Sequence, residues 1–129
     1  MIPSYSKSLP TLSRTCRILA IGCDSETLDV STTVLRGGGF EVCPATPQQT
    51  LRLLDHERFD GVLVCHTLTP RQANAVLALV QALERTIPVI QVYSRTPDPA
   101  FRFAAPSYNP SILLSVVGRA VETELRATA

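Results

Sequence analysis

Few side chains in this sequence are equipped for chemistry. Four cysteines stand at Cys16, Cys23, Cys43 and Cys65, and two histidines at His56 and His66. No two cysteines form a CxxC pair, which argues against a zinc ribbon or a secreted disulfide framework and leaves reduced cytosolic thiols as the expectation. Cys65-His66 has the composition of a nucleophile and its base. Adjacent residues of a strand point to opposite faces, however, so the pair makes no dyad if the strand persists. Asp24 precedes a helical segment, where a carboxylate serves as N-cap; a metal-ligand role is the rival reading. His56 falls near a helix end and reads as a surface residue favoured by the helix dipole. Gly37-Gly38-Gly39 follows a helix instead of leading from a strand into one, the wrong context for a phosphate cradle. The single lysine is Lys7.

The elements that must position these residues alternate along the chain. Arg17-Ile-Leu-Ala-Ile21 is a short apolar run of the kind buried on both faces of a sheet. Glu26 to Arg36 follows as a helix ended by the glycines. Phe40-Glu-Val-Cys43 is a second strand, which Pro44 should stop. Thr46-Pro47-Gln48-Gln49 opens a helix that runs to about His56, with Thr as cap, Pro at the first position and Gln closing a capping box. Phe59 to Cys65 holds a third strand. Thr69-Pro70-Arg71-Gln72 repeats the helix-start device, and Ala73, Val76, Leu77, Val80 and Leu83 continue at helical spacing. Ile87 to Val92 is a fourth strand, with Pro88 confined to its start. Arg95 to Pro99 is loop, and Phe101 to Ala104 a weak fifth strand. Asn109-Pro110 starts a final helix with Ile112, Leu113, Val116, Val117, Val121 and Leu125 as its apolar stripe. This alternation predicts a parallel sheet with helices on both faces.

The totals exclude several classes. The chain has 129 residues, enough for one domain, with 45% hydrophobic and 18% charged residues, which excludes global disorder. A net charge of +1 and few aromatics give no basis for nucleic-acid binding. No apolar run reaches the roughly 20 residues of a membrane helix. Residues 1–14, rich in Ser and Pro, read as a flexible tail that is not a secretory signal; residues 15–129 form the domain.

The order of elements, with Ile18-Leu-Ala-Ile21, Gly39-Phe-Glu-Val42, Phe59-Asp-Gly-Val-Leu-Val64, Ile87-Pro-Val-Ile90 and Ala105-Pro106, resembles the CheY-like receiver domain of two-component response regulators. The resemblance covers about Arg17 to Leu125. It implies a doubly wound, flavodoxin-like, five-stranded parallel sheet of order 2-1-3-4-5, with a switch-point site at the carboxyl ends of strands one and three. One departure concerns the fold: too little chain separates Ser94 from Ala105 for a full fourth helix, so that helix is expected to be shortened or absent.

The resemblance also implies a Mg²⁺ and phosphoryl site built from two acids after strand one, an aspartate ending strand three, a hydroxyl ending strand four and a lysine ending strand five. Here the acid pair falls on Gly22 and Cys23, with Asp24 the only carboxylate nearby. The phosphoacceptor position falls on Cys65, the hydroxyl on Tyr93 or Ser94, and the lysine on Ala105. Hard dications want oxygen ligands and a phosphoryl group wants positive charge. These residues offer little of either, so no cofactor, no metal and no enzymatic activity are expected. The chain then reads as a degenerate receiver, a phosphorylation-independent interaction module acting in the cytoplasm. Its partner would be a kinase, another receiver or a second copy, met by the first helix, the face around strand five, or the last helix through Val121 and Leu125.

An alternative places Cys23 and Cys65 at two facing positions, where with His66 and Asp24 they would form a thiol-redox or metal-responsive site. Against it, both cysteines read as small hydrophobes filling a vacated pocket. A cysteine after strand one also resembles the phosphocysteine enzymes of sugar phosphotransferase systems. The carboxylates of Asp24-Ser-Glu-Thr27 would repel the phosphate.

Overall fold

The computed structural model describes residues 16–83 and 86–128, with side chains placed as far as Thr123; the expected tail lies outside the described residues. Five strands, β1 (Arg17–Ile21), β2 (Glu41–Ala45), β3 (Gly61–Val64), β4 (Val89–Tyr93) and β5 (Phe103–Pro106), form one parallel sheet of order β2-β1-β3-β4-β5. Four α-helices surround it: α1 (Ser25–Gly37), α2 (Thr50–His56), α3 (Pro70–Gln81) and α4 (Pro110–Thr128). Strand residues alternate between two buried layers. Ile18, Ala20, Leu63, Cys65, Ile90 and Val92 join Leu28, Leu35 and Val117 of α1 and α4. Leu19, Ile21, Val62, Val64 and Val89 join Leu54, Val76 and Val80 of α2 and α3. Burial on both faces is why these strands read as unbroken apolar runs.

Caps set the helix starts as their residue types require. Asp24 accepts from the Glu26 amide at 3.3 Å, so it is the N-cap of α1. The Thr69 hydroxyl accepts from the Gln72 amide at 3.1 Å and the Gln72 carbonyl accepts from the Thr69 amide at 3.0 Å, a reciprocal capping box. Asn109 accepts from Ile112 at 3.1 Å to start α4. The Thr46 start instead makes one 3₁₀ turn, Pro47–Gln49, before α2 begins at Thr50.

Strand boundaries shift from the sequence expectation: β4 runs Val89–Tyr93 against an expected Ile87 to Val92, and the larger changes are at β2 and β5. β2 passes through Pro44, which pairs in register with Ala20. Glu41 N donates to Cys16 O and Ala45 O accepts from Gly22 N, so alternate residues of β2 face β1 and the nitrogen of Pro44 faces away. β2 is an edge strand, where a missing donor costs nothing. Beside it, the Arg36 guanidinium donates to the outward Val42 carbonyl at 3.2 Å. β5 begins at Phe103 because the Asp98 carbonyl and carboxylate take the amides of Phe101 (3.1 Å) and Ala100 (2.9 Å) in a turn. On this opposite edge Ser107 N donates to Tyr93 O at 2.8 Å, which turns the Pro106 nitrogen outward as well. No helix lies between β4 and β5, as the short, proline-bearing connection requires.

Candidate functional site

The carboxyl ends of β1 and β3 are the switch point of this strand order, because the chain goes from β1 to opposite sides of itself there. Ile21 pairs with Val64, and Cys65 N donates to Ile21 O at 2.9 Å, which brings Gly22-Cys23-Asp24 and Cys65 to one rim.

Gly22 is enclosed. A Cβ there would lie 3.1 Å from Leu28 Cγ and 3.2 Å from both Leu28 Cδ2 and Thr67 Oγ1, so the position has no room for an acidic side chain without displacing its neighbours. Cys23 is exposed. Its amide donates to Thr67 Oγ1 at 3.2 Å and its thiol donates to Gln72 Oε1 at 3.6 Å, the same oxygen that closes the α3 capping box. Asp24 also accepts from the Thr27 hydroxyl at 2.8 Å. That bond, foremost, holds its carboxyl below the usual value, with the backbone amides of Glu26 and Thr27 and the nearby His66 adding to it.

Cys65 has only 1% of its surface exposed and belongs to the α1/α4 core. Burial pushes its thiol up to about 11, opposed by a hydrogen bond with Ser31. His66, the next residue, is exposed. Tyr93 ends β4 half-buried and Ser94 follows it exposed. Ala105 is fully buried in β5, opposite Val92.

The structure thus brings the seven positions singled out in the sequence to the carboxyl edge of the sheet, but it does not bring the two thiols into one site. One is exposed against Gln72 and the other lies in the core against Ser31, and none of the four cysteines is in a disulfide. Among the described residues no group of three or more His, Cys, Asp or Glu is placed to hold a metal ion. The redox or metal alternative through Cys23, Cys65 and His66 is therefore not favoured. The residues present do not fit Mg²⁺ either. Gly22 brings no side chain to the rim, Cys23 and Cys65 bring thiols where a hard dication wants oxygen, and Asp24 is bound into the α1 cap.

The site roles of three residues escaped the sequence reading. Thr67 and Leu28 fill the space over Gly22, and Gln72 reaches across to Cys23. Gln72 was visible as a capping residue; the roles of Thr67 and Leu28 depend on packing across the sheet. The proposed dimer patch on the last helix also changes. Val121 is buried in the core, and the side chain of Leu125 lies outside the described residues. The exposed apolar side chains include Val30 on α1, and Tyr108 and Ile112 at the start of α4.

No family model matches the chain, and no curated protein does. Solved structures do. The chain is similar to the receiver domain of a sensor histidine kinase from Pseudomonas aeruginosa PAO1, a structure with magnesium coordinated in its active-site cleft; identity is 16%, TM-score 0.73, with 84% of this chain and 99% of that one covered. A putative response regulator from Chloroflexus aurantiacus J-10-fl gives 16% identity and TM-score 0.75 over 84% and 99%. The signal receiver domain of an HD domain-containing protein from Pseudomonas fluorescens Pf-5 gives 17% and 0.75 over 88% and 99%. The fold is that of CheY-like response-regulator receiver domains. No described helix is long and apolar enough to cross a membrane.

Proposed function

We propose that this chain is a receiver-type interaction module of two-component, phosphorelay signalling that works without aspartyl phosphate and without catalysing a reaction. Its partner is a protein of the same system: a histidine kinase, another receiver domain or a second copy of itself. It acts in the cytoplasm and needs no cofactor. The support for signalling is the fold shared with receiver domains of a sensor kinase and of response regulators. The support for phosphate independence is one observation: the rim that would carry two acids holds Gly22, pressed against Leu28 and Thr67, and exposed Cys23. A neutral Cys65 stands at the acceptor position and Ala105 at the lysine position. Such a rim lacks the lysine and offers a single carboxylate, Asp24, already bound into the α1 cap, which is too little for a hard dication.

The test is an amide NMR spectrum recorded with Mg²⁺ and acetyl phosphate, then with beryllofluoride. Both spectra should match that of the untreated protein. A stoichiometric acyl phosphate on Asp24 or Asp60, detected by mass spectrometry, would sink the reading. The exposed Tyr108 and Ile112 are offered as partner contacts.

A further inference from the structure

We propose that the cleft at the carboxyl ends of β3 and β4 is a binding site for a small aromatic carboxylate. This goes beyond the interaction module and does not rest on it. The cleft has a volume of about 320 Å³, within the range of small-ligand sites. Its floor is apolar, with Leu68, Ala73 and Val92 all buried. Its mouth is polar, with His66, Ser94, Arg95 and Thr96 exposed around it.

The cleft exists because residues 94–102 form no helix and fold back as a wall. Asp98 fixes that wall. Its amide donates to Gln91 Oε1 at 2.9 Å, and its carboxylate accepts from Ala100 N at 2.9 Å and from Asn74 Nδ2, on α3, at 3.1 Å. A wall held in this way needs little ordering when a ligand enters. The same bonds engage both oxygens of Asp98 and favour its ionised form, so the preference for an anionic ligand rests on Arg95. Asp24, the carboxylate near His66, is occupied by Thr27 and Glu26. Arg95 supplies a planar fork of donors suited to a carboxylate, and the Ser94 and Thr96 hydroxyls add further donors at the mouth. An aromatic ring fits the apolar floor while the carboxylate stays at the wet mouth beside Arg95. Cys65, at the back of the cleft, adds no charge at neutral pH.

The experiment is an amide NMR titration of the whole chain with benzoate, benzyl alcohol and benzylammonium at neutral pH and constant ionic strength. Benzoate should shift the amides of Ala73, Ser94 and Thr96 saturably, with a Kd of about 1 mM, as expected for so small a ligand. It should bind at least about fivefold more tightly than benzyl alcohol, the increment of one exposed charge-assisted contact, with benzylammonium weakest. Arg95→Gln should erase the advantage of benzoate over the alcohol, and Arg95→Lys should keep part of it. Arg95 is exposed, so both variants should unfold at the temperature of the parent. The proposal fails if benzylammonium binds as well as benzoate, or if the shifts map elsewhere. It fails equally if benzoate gives no saturable shift, or binds Arg95→Gln unchanged.

Discussion

Cys65 enters the alkaline range still carrying its proton, because a thiolate there would lose its water without gaining a countercharge. Its folded value of about 11 lies above the ordinary 9.0. A raised value means that the folded state holds the proton more tightly than the unfolded one. The contribution is complete below the unfolded value and is lost as pH rises through the folded one. Between about pH 9 and 11 the protein should therefore lose about 2–3 kcal/mol that a Cys65→Ala variant does not lose, as read from urea midpoints across that range. At neutral pH a thiol reagent should label exposed Cys23 well before Cys65. Equal labelling would show that the core opens at this strand end.

At the scale of elements, the α3 start carries two duties at once. Gln72 closes the capping box with Thr69 and also receives the Cys23 thiol. Thr69→Ala removes the hydroxyl acceptor and should lower stability by about 1 kcal/mol in denaturant unfolding. It should also change the amide signals of Cys23 and Thr67, because the Gln72 amide loses its acceptor and its side chain is left with the Thr69 amide alone from the capping box. Elements of this kind were legible in the sequence. Thr, Pro and Gln in fixed order declare a helix start through local bonds, and the apolar runs declare strands through burial. What stayed hidden was set by groups distant in the chain. Pro44 looks like a strand breaker until β2 is known to be an edge. The late start of β5 follows from a turn at Asp98 that takes two amides. The candidate site was legible as a set of positions and as missing charge. The separation of Cys23 from Cys65 was not, since it depends on which layer each side chain joins.

At the scale of the molecule, the ends of the sheet decide how the chain can meet its neighbours. An open strand edge presents unpaired donors and acceptors to any other strand. Here Pro44 and Pro106 each turn a nitrogen without hydrogen outward, and Arg36 covers the Val42 carbonyl. Pro44→Val with Pro106→Val should leave the amide spectrum of the folded domain nearly intact. It should raise the rate of light scattering under mild warming, because each border then regains an outward N–H. No change in that rate would mean that the borders are protected by something other than proline. A border that lacks a donor is a poor template for the strand of another copy, so crowded copies of this domain are expected to stay apart at their sheet edges and to meet partners through helices and loops.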